Sequence, residues 1–182
     1  AALRRSVDEL RRARRDDVAG AYDCEIAQIL GIVLSRLGRF EGAVAEYDRA
    51  LTLLPGQPGS PLRLRSHRAT ILGNSAEALM ALGRLPEAIA RYTQAEAIDM
   101  TDQSALHTLG LAVAYDRDGQ LEKSRDAMVR SLTTDPGMKL FNGDSVFFVP
   151  PGDRSYYVAL SLEAFGDREA AIEAWQQFLR DL

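Results

Sequence analysis

The sequence predicts an all-α protein built from antiparallel helix pairs, and three observations lead to that prediction. Apolar residues recur at helical spacing through most of the 182 residues. Four segments share one pattern around a glycine, which indicates an internal repeat. The composition is that of a globular protein, with 46% hydrophobic and 26% charged residues, so the chain has enough apolar side chains to bury a core.

The repeat is centred on four glycines: Gly38, Gly83, Gly119 and Gly166. Each glycine stands where a first helix must end, because glycine adopts the left-handed conformation that closes a helix. Small residues before each glycine would let two helices approach closely, and a large residue nine positions after it would fill the space beside them. The small residues are Gly31, Ala76, Ala112 and Ala159, and the large ones are Tyr47, Tyr92, Met128 and Trp175.

This pattern resembles the tetratricopeptide repeat, a helix–turn–helix unit whose pattern also contains a proline beyond the glycine. Pro55 and Pro136 stand at that place, whereas Met100 departs from it. The resemblance covers roughly residues 24–182 in four degenerate repeats. It implies a right-handed superhelical array, or solenoid. It also implies a scaffold that binds a protein or peptide segment in its concave groove and helps to assemble or regulate a complex.

The repeats are unevenly spaced, since successive glycines lie 45, 36 and 47 residues apart against about 34 in this family. Ser60 and Pro61 form a good N-cap and first-turn pair, so the first helix of repeat two is expected to start early, near Pro61. The other extra length is an insertion before repeat four. The expected order is an N-terminal helix (a cap or half repeat), repeat one, repeat two, repeat three, the insertion and repeat four, over residues 1–20, 21–56, 57–100, 101–136, 137–152 and 153–182.

The N-terminal segment is expected to be an amphipathic helix. Leu3, Val7 and Leu10 recur at helical spacing, with arginines on the other face. Acidic residues offset these arginines, and no aromatic residue stands between them to stack on bases. We therefore expect a solvated, salt-bridged face and no nucleic-acid partner. Nucleic-acid binding through this helix is the less favoured alternative, and it would show a steep salt dependence.

The insertion contains an Asn-Gly turn signal followed by the apolar run Val146, Phe147, Phe148 and Val149. Asn-Gly between apolar residues is typical of a β-hairpin, so a short extended or hairpin segment is expected. An isolated hairpin is marginal in water, so this one would either cover the groove as a lid or serve as a hook for a partner. We favour the lid, because a bare apolar hook would be sticky. Asp153 is expected to cap the next helix.

The resemblance implies that the groove is lined by five positions in the first helix of each repeat. Apolar residues at these positions would form a strip across repeats three and four that something should cover, unless the register is shifted and they are core. They are Leu106, Leu109, Val113, Tyr156 and Leu160. The full set of implied partner-binding groove residues is Gln28, Ile32, Arg36, Glu77, Met80, Leu106, Leu109, Val113, Asp116, Tyr156 and Leu160.

Residues suited to catalysis or metal binding are scarce. A single cysteine, Cys24, permits neither an intrachain disulfide nor a thiolate metal cluster. There are two histidines: His67 is expected to face solvent, and His107 to lie at the surface or between helices. We therefore expect no enzymatic activity, no metal and no cofactor.

Charge and hydropathy narrow the classes of partner. The net charge of −4 is too mild to suggest nucleic acid or an anionic membrane as the main partner. No apolar run reaches the roughly 18 residues of a membrane span, and no signal peptide precedes the first helix. We expect a cytoplasmic protein, or a piece of a longer one, since the chain begins without Met. Its 20 Arg against 2 Lys suggest a GC-rich bacterial genome.

Self-assembly is the structural alternative to partner binding. Solenoids need polar terminal caps, and the sequence shows none after the last predicted helix. That helix carries Trp175 and Phe178, which would then pack on another copy to form a homo-oligomer.

Overall fold

The computed structural model describes residues 2–101, 103–136, 138–141 and 153–181. Within these ranges the chain forms nine α-helices and no β-strand. The helices fall into two compact units, Ala1–Asp99 and Met100–Leu182. The prediction of an all-α fold is confirmed for the described part of the chain.

Unit 1, Ala1–Asp99, contains a single helix and two helix pairs, with a 3-10 turn at Leu54–Gly56 between the pairs. Each helix packs against the next one along the chain. In order they are α1 (Ala2–Asp16), the pair α2 (Asp23–Arg36) and α3 (Phe40–Leu53), and the pair α4 (Pro61–Ala81) and α5 (Leu85–Ile98).

Unit 2, Met100–Leu182, contains two further helix pairs, and again each helix packs against the next. They are α6 (Ser104–Arg117) with α7 (Leu121–Thr134), and α8 (Arg154–Phe165) with α9 (Arg168–Asp181). Hence four pairs are present among the described residues, although the exact repeat boundaries stay a prediction.

Each of the four repeat glycines closes the first helix of its pair in the left-handed conformation. Their φ angles are 70° at Gly38, 72° at Gly83, 74° at Gly119 and 90° at Gly166. A residue with a Cβ would be strained at these angles. The prediction that glycine ends the first helix is therefore confirmed, and the sharp turn lets the second helix fold back on the first.

The predicted meeting of small and large residues is seen most clearly between Gly31 on α2 and Tyr47 on α3. Tyr47 is completely buried. A Cβ added at Gly31 would lie only 2.5 Å from Cε1 of that ring, which is closer than atoms can pack. Tyr92 and Met128 are buried in the same way, whereas Trp175 is half-exposed. The repeat pattern thus specifies how the helices of the first pair approach.

Helix α1 is held on the first helix pair by Val7 and Arg14. Val7 is the buried residue of this helix. The two terminal nitrogens of Arg14 donate to the Glu46 carboxylate at 3.0 and 2.7 Å, and its Nε lies 3.0 Å from Asp23 Oδ1. These ion pairs are partly buried, so Arg14 provides the salt-bridged contact that we expected of this helix.

Helix α4 starts early, as the Ser60-Pro61 pair predicts. Its first residue is Pro61, and Ser60 Oγ accepts a hydrogen bond from the Arg63 backbone nitrogen at 3.3 Å. The helix has 21 residues, whereas α2, α5, α6 and α7 each have 14. The added turns carry three exposed arginines, Arg63, Arg65 and Arg68.

The described part of the insertion is a compact turn within unit 2. Asp135 Oδ2 accepts a hydrogen bond from the Leu140 backbone nitrogen at 2.9 Å. Met138 has a φ of 48°, which is unusual for a residue with a side chain. Phe141 is 1% exposed, so the turn is anchored at this ring. The predicted hairpin, with Val146, Phe147, Phe148 and Val149, lies outside the described residues.

The predicted capping bond of Asp153 is not formed. Asp153 stands at the N-cap position of α8, but its φ of −91° and ψ of −5° are helical and its side chain makes no capping hydrogen bond. A capping residue needs an extended backbone to reach the first amide groups of the helix. The Asp153 carboxylate instead lies 3.8 Å from an Arg117 terminal nitrogen.

Candidate functional site

Unit 2 contains a cleft of about 300 Å³ formed by α6, α7 and α8. The predicted groove residues Asp116, Tyr156 and Leu160 line it, so the structure brings these three together. Leu121, which is 64% exposed, and the buried Met128 add apolar surface from α7. The resemblance did not indicate the α7 residues, because it singles out only the first helix of each pair.

The charged rim of this cleft is acidic. Asp116, Glu122 and Glu163 stand around it, with Arg125 as the basic residue among those that line it. Tyr156 Oη donates a hydrogen bond to Asp116 Oδ1 at 3.5 Å. Burial raises the pKa of Asp116, although hydrogen bonds from the neighbouring tyrosines oppose that rise. An apolar floor with a negative rim suits an apolar side chain next to a basic one.

An aromatic cluster fixes the Tyr156 wall of the cleft. The Tyr156 ring lies 5.5 Å from that of Trp175 and 5.6 Å from that of Phe178, both edge to face. Trp175 Nε1 donates to Glu163 Oε2 at 3.0 Å. Both rings pack inside unit 2 but stay half-exposed, so their expected contact with another copy is still a prediction. Oligomerisation itself stays a prediction.

Tyr157, next to Tyr156, belongs to the interior of unit 2. It is 3% exposed, and its Oη accepts a hydrogen bond from Arg117 Nε at 3.3 Å. Burial raises the pKa of Tyr157 to about 12, so it stays a neutral phenol at physiological pH. The Tyr156 ring packs edge to face against Tyr157, with ring centres 4.9 Å apart. Tyr157 therefore supports the Tyr156 ring, which lines the cleft.

Leu109 and Val113 of α6 were expected to belong to an exposed apolar strip, and this expectation is wrong. They are 3% and 0% exposed, so they are core residues. Helix α6 is apolar around most of its circumference, and such a helix is buried rather than displayed. Glutamate at either position would place a carboxyl group in the core of unit 2 and destabilise it. Leu106, Tyr156 and Leu160 are half-exposed, so their role in binding stays a prediction.

The start of the insertion covers part of that strip. Met138 and Phe141 line a small cavity together with Leu106 and Leu109 of α6. The Arg154 guanidinium carbon lies 5.8 Å from the centre of the Phe141 ring, within the range of a cation–π contact. The residues up to Phe141 therefore pack against α6, and the choice between lid and hook stays a prediction. The apolar run that follows lies outside the described residues.

In unit 1 the predicted groove residues Gln28 and Ile32 are half-buried, and Arg36 is exposed. Gln28 Oε1 and His67 Nε2 form a hydrogen bond between α2 and α4. The expectation that His67 faces solvent is therefore wrong, because the lengthened α4 brings it against Gln28. His107, which was expected at the surface or between helices, is buried in α6.

Glu77 and Met80, also predicted for the groove, are 8% and 3% exposed and contribute little surface. The expectation that they line the groove is therefore wrong for both residues, because the C-terminal half of α4 is buried on several sides. Glu77 Oε2 has no hydrogen-bond partner among the described residues. Burial raises the pKa of the Glu77 carboxyl group well above its ordinary value, so the neutral form is favoured.

Within the described ranges, no group of three or more His, Cys, Asp or Glu side chains comes together to hold a metal. Cys24 is buried, and its burial raises the pKa of the thiol, which lowers its reactivity. No described helix combines the length and the apolar character that a membrane crossing requires.

Two family models, each described as a tetratricopeptide repeat, match residues 72–139 and 155–181. Comparison with curated proteins gives no match. Among solved structures, "MamA 41-end from Desulfovibrio magneticus RS-1" is 20% identical with a TM-score of 0.65, covering 99% of this chain and 85% of that one. The "Podosopora anserina putative kinesin light chain nearly identical TPR-like repeats" is 16% identical with a TM-score of 0.64, covering 98% and 86%.

A third similar structure is that of "BtubC (BKLC) from P. vanneervenii", with 18% identity, a TM-score of 0.58, and coverage of 100% of this chain and 88% of that one. At these identities the likeness concerns the fold. It agrees with the four left-handed glycines, with the close helix pairs and with the two family matches. The chain belongs to the tetratricopeptide repeat family.

Proposed function

We propose that this protein is a non-catalytic scaffold, and that the cleft of unit 2 binds a segment of a partner protein with an apolar anchor residue beside a basic one. The tetratricopeptide repeat is in general a protein-interaction fold. One observation supports the finer proposal most strongly. Asp116, Tyr156 and Leu160, which the family resemblance implies for the groove, line a single cleft with an apolar floor and an acidic rim.

The chemistry of binding follows from that lining. An apolar side chain that enters beside Leu121 and Leu160 would remove apolar surface from water, which stabilises the complex by about 25 cal/mol per Å². Glu122 and Glu163 would attract a neighbouring Lys or Arg and steer its approach. Because the aromatic cluster already fixes the Tyr156 wall, little side-chain freedom would be lost on binding.

Affinity capture from a native lysate, followed by titration of the captured protein, tests this proposal. We expect Leu121→Gln with Glu122→Gln to weaken binding about tenfold, since roughly 1.4 kcal/mol of contact energy corresponds to that factor. Both residues are exposed, so helicity and melting temperature should not change. The matched control is Leu179→Gln with Glu173→Gln, which changes exposed residues of α9. Equal binding by the cleft variant and the wild type would contradict the proposal.

Self-assembly is the second candidate, and the outer surface of α9 favours it. Ile172 is 49% exposed and Leu179 is 67% exposed. Ile172 also lines, with Ala171 and Trp175, an open cleft of about 320 Å³. Under this alternative, light scattering over a dilution series would show a molecular mass that decreases as the protein is diluted. The variant Ile172→Gln with Leu179→Gln would be a monomer at every concentration. A constant monomer mass for the wild type would dismiss it.

A further inference from the structure

The lengthened start of α4 helps to form a cleft in unit 1 that contains none of the predicted groove residues. The cleft encloses about 390 Å³. Its lining comes from the end of α3 and the turn after it, the start of α4 and the end of α5, and consists of Leu54, Pro55, Leu64, Arg65, Arg68 and Ile98. Four of these six side chains are apolar and two are arginines.

The residues that make this cleft basic lie in the extra turns of α4. Counting from Gly83 as the family pattern does, the usual first helix of this repeat would begin near residue 69, so residues 61–68 are added to it. Arg65 and Arg68 are three positions apart and therefore lie on the same face of the helix. The cleft is thus a consequence of the irregular spacing of the repeats and is not a general property of the fold.

The arginines here carry unmatched positive charge. Arg63, Arg65 and Arg68 are exposed, and none forms an ion pair with a carboxylate among the described residues. By contrast, Arg14 and Arg91 are each paired with an acidic side chain. Among the described residues, none that lines the cleft is acidic. On a protein with a net charge of −4, this is a local positive surface beside an apolar floor.

We propose that this cleft binds an acidic segment of a partner protein, with one apolar side chain of the segment between Leu54, Leu64 and Ile98. Asp or Glu residues next to that anchor would then pair with the guanidinium groups of Arg65 and Arg68. Arginine forms such pairs with two parallel N–H···O bonds, which fix the orientation as well as the charge. The anchor supplies the apolar contact, and the arginines distinguish acidic segments from neutral ones.

A nucleic acid fits the same surface less well. The described residues that line the cleft include no aromatic side chain to stack on a base. The floor between the arginines is formed by Leu54, Leu64 and Ile98, which would leave phosphate and sugar groups without hydrogen-bond partners. The charge and the apolar floor are therefore satisfied together by an acidic peptide segment.

The probes are fluorescein-labelled synthetic peptides of about 12 residues with one Leu, Ile, Phe or Met anchor and Glu or Asp at varied distances from it. Two sets of matched peptides replace the anchor by Ser or the acidic residues by Lys. Binding to the intact protein is measured by fluorescence anisotropy. We expect some acidic peptides to bind, with at least tenfold weaker binding of their Lys and Ser counterparts.

The variant Arg65→Glu with Arg68→Glu should weaken the best acidic peptide at least tenfold, and Arg65→Gln with Arg68→Gln should weaken it less because it adds no repulsion. The matched control is Arg11→Glu with Arg12→Glu, the same charge change at exposed sites of α1, with less than a twofold effect expected. Thermal melting checks that all variants fold, which we expect because the substituted arginines are exposed.

Three results would overturn this proposal. If every acidic peptide bound no more tightly than its Lys counterpart, the arginines would recognise no carboxylate. Equal binding of the best peptide by the Arg65→Glu, Arg68→Glu variant and by the wild type would place its site elsewhere. Tighter binding of a labelled single-stranded oligonucleotide than of every peptide, lost in that variant, would assign the arginines to a nucleic acid.

Discussion

Glu77 shows what burial does to a single carboxyl group. It is 8% exposed on α4, and its Oε2 has no hydrogen-bond partner among the described residues. A carboxylate removed from water without a partner is costly, so the group neutralises instead. For this reason the pKa of Glu77 lies well above 4.5, the ordinary value for a glutamate side chain.

Glu77→Gln should therefore remove a pH dependence of stability. Because the pKa of Glu77 is raised on folding, the folded protein holds a proton that the unfolded chain releases above pH 4.5. The free energy of unfolding of the wild type should then fall as the pH rises, by up to about 1.4 kcal/mol per pH unit until the folded pKa is reached. Glutamine has no proton to lose, so the stability of the variant relative to the wild type should rise as the pH increases above 4.5.

Urea unfolding at a series of pH values measures this difference, with Glu41→Gln as the control. Glu41 is exposed on α3, so its replacement should leave the slope of stability against pH nearly unchanged. If the Glu77→Gln variant and the wild type had parallel pH profiles, the carboxyl group would be charged in the folded protein, contrary to this account.

Single residues differ in how far the sequence predicts them. The turn glycines and Gly31 were predictable, because a positive φ or a ring at 2.5 Å excludes a side chain and the repeat shows the same need several times. Glu77 was not predictable, since glutamate is usually exposed. Its burial depends on side chains that surround α4 and not on its own position in the repeat.

At the scale of elements, the turn that ends at Phe141 packs against α6 within unit 2. Phe141 is 1% exposed and lines a small cavity with Leu106 and Leu109 of α6. Asp135 holds the turn through the Leu140 backbone nitrogen. The insertion therefore begins as part of the hydrophobic core of unit 2, and the lid that we favoured for the apolar run Val146, Phe147, Phe148 and Val149 stays a prediction.

Phe141→Ala should destabilise unit 2 by about 3–5 kcal/mol, the usual cost of emptying a buried phenylalanine site. The single tryptophan of the chain, Trp175, lies in unit 2, so its fluorescence in urea reports the unfolding of this unit. Lys139→Ala is the control, because Lys139 is exposed in the same turn. A loss below 1 kcal/mol would mean that the Phe141 ring is not held against α6.

The start of α4 was easier to predict than the orientation of α6. The early start of α4 followed from Ser60 and Pro61, since a serine cap and a proline in the first turn suit a helix start and little else. The orientation of α6 did not follow, because apolar residues cover most of its circumference and any side could have faced outward. Leu109 and Val113 were misassigned for that reason.

At the scale of the whole molecule, each of the two units carries a cleft with an apolar floor and a charged rim of its own. The cleft of unit 2 has an acidic rim with Asp116, Glu122 and Glu163, and the cleft of unit 1 has Arg65 and Arg68. The repeat pattern predicted the family and the helix pairs. It did not predict these rims, since their side chains lie at positions that the pattern leaves unspecified.

The most direct test of the account is amide hydrogen exchange of the whole protein with and without a saturating captured partner. The proposed function predicts slower exchange in the C-terminal half of α6, at the start of α7 and in α8, and unchanged exchange in α1. Unchanged exchange throughout α6, α7 and α8 would contradict partner binding in the cleft of unit 2.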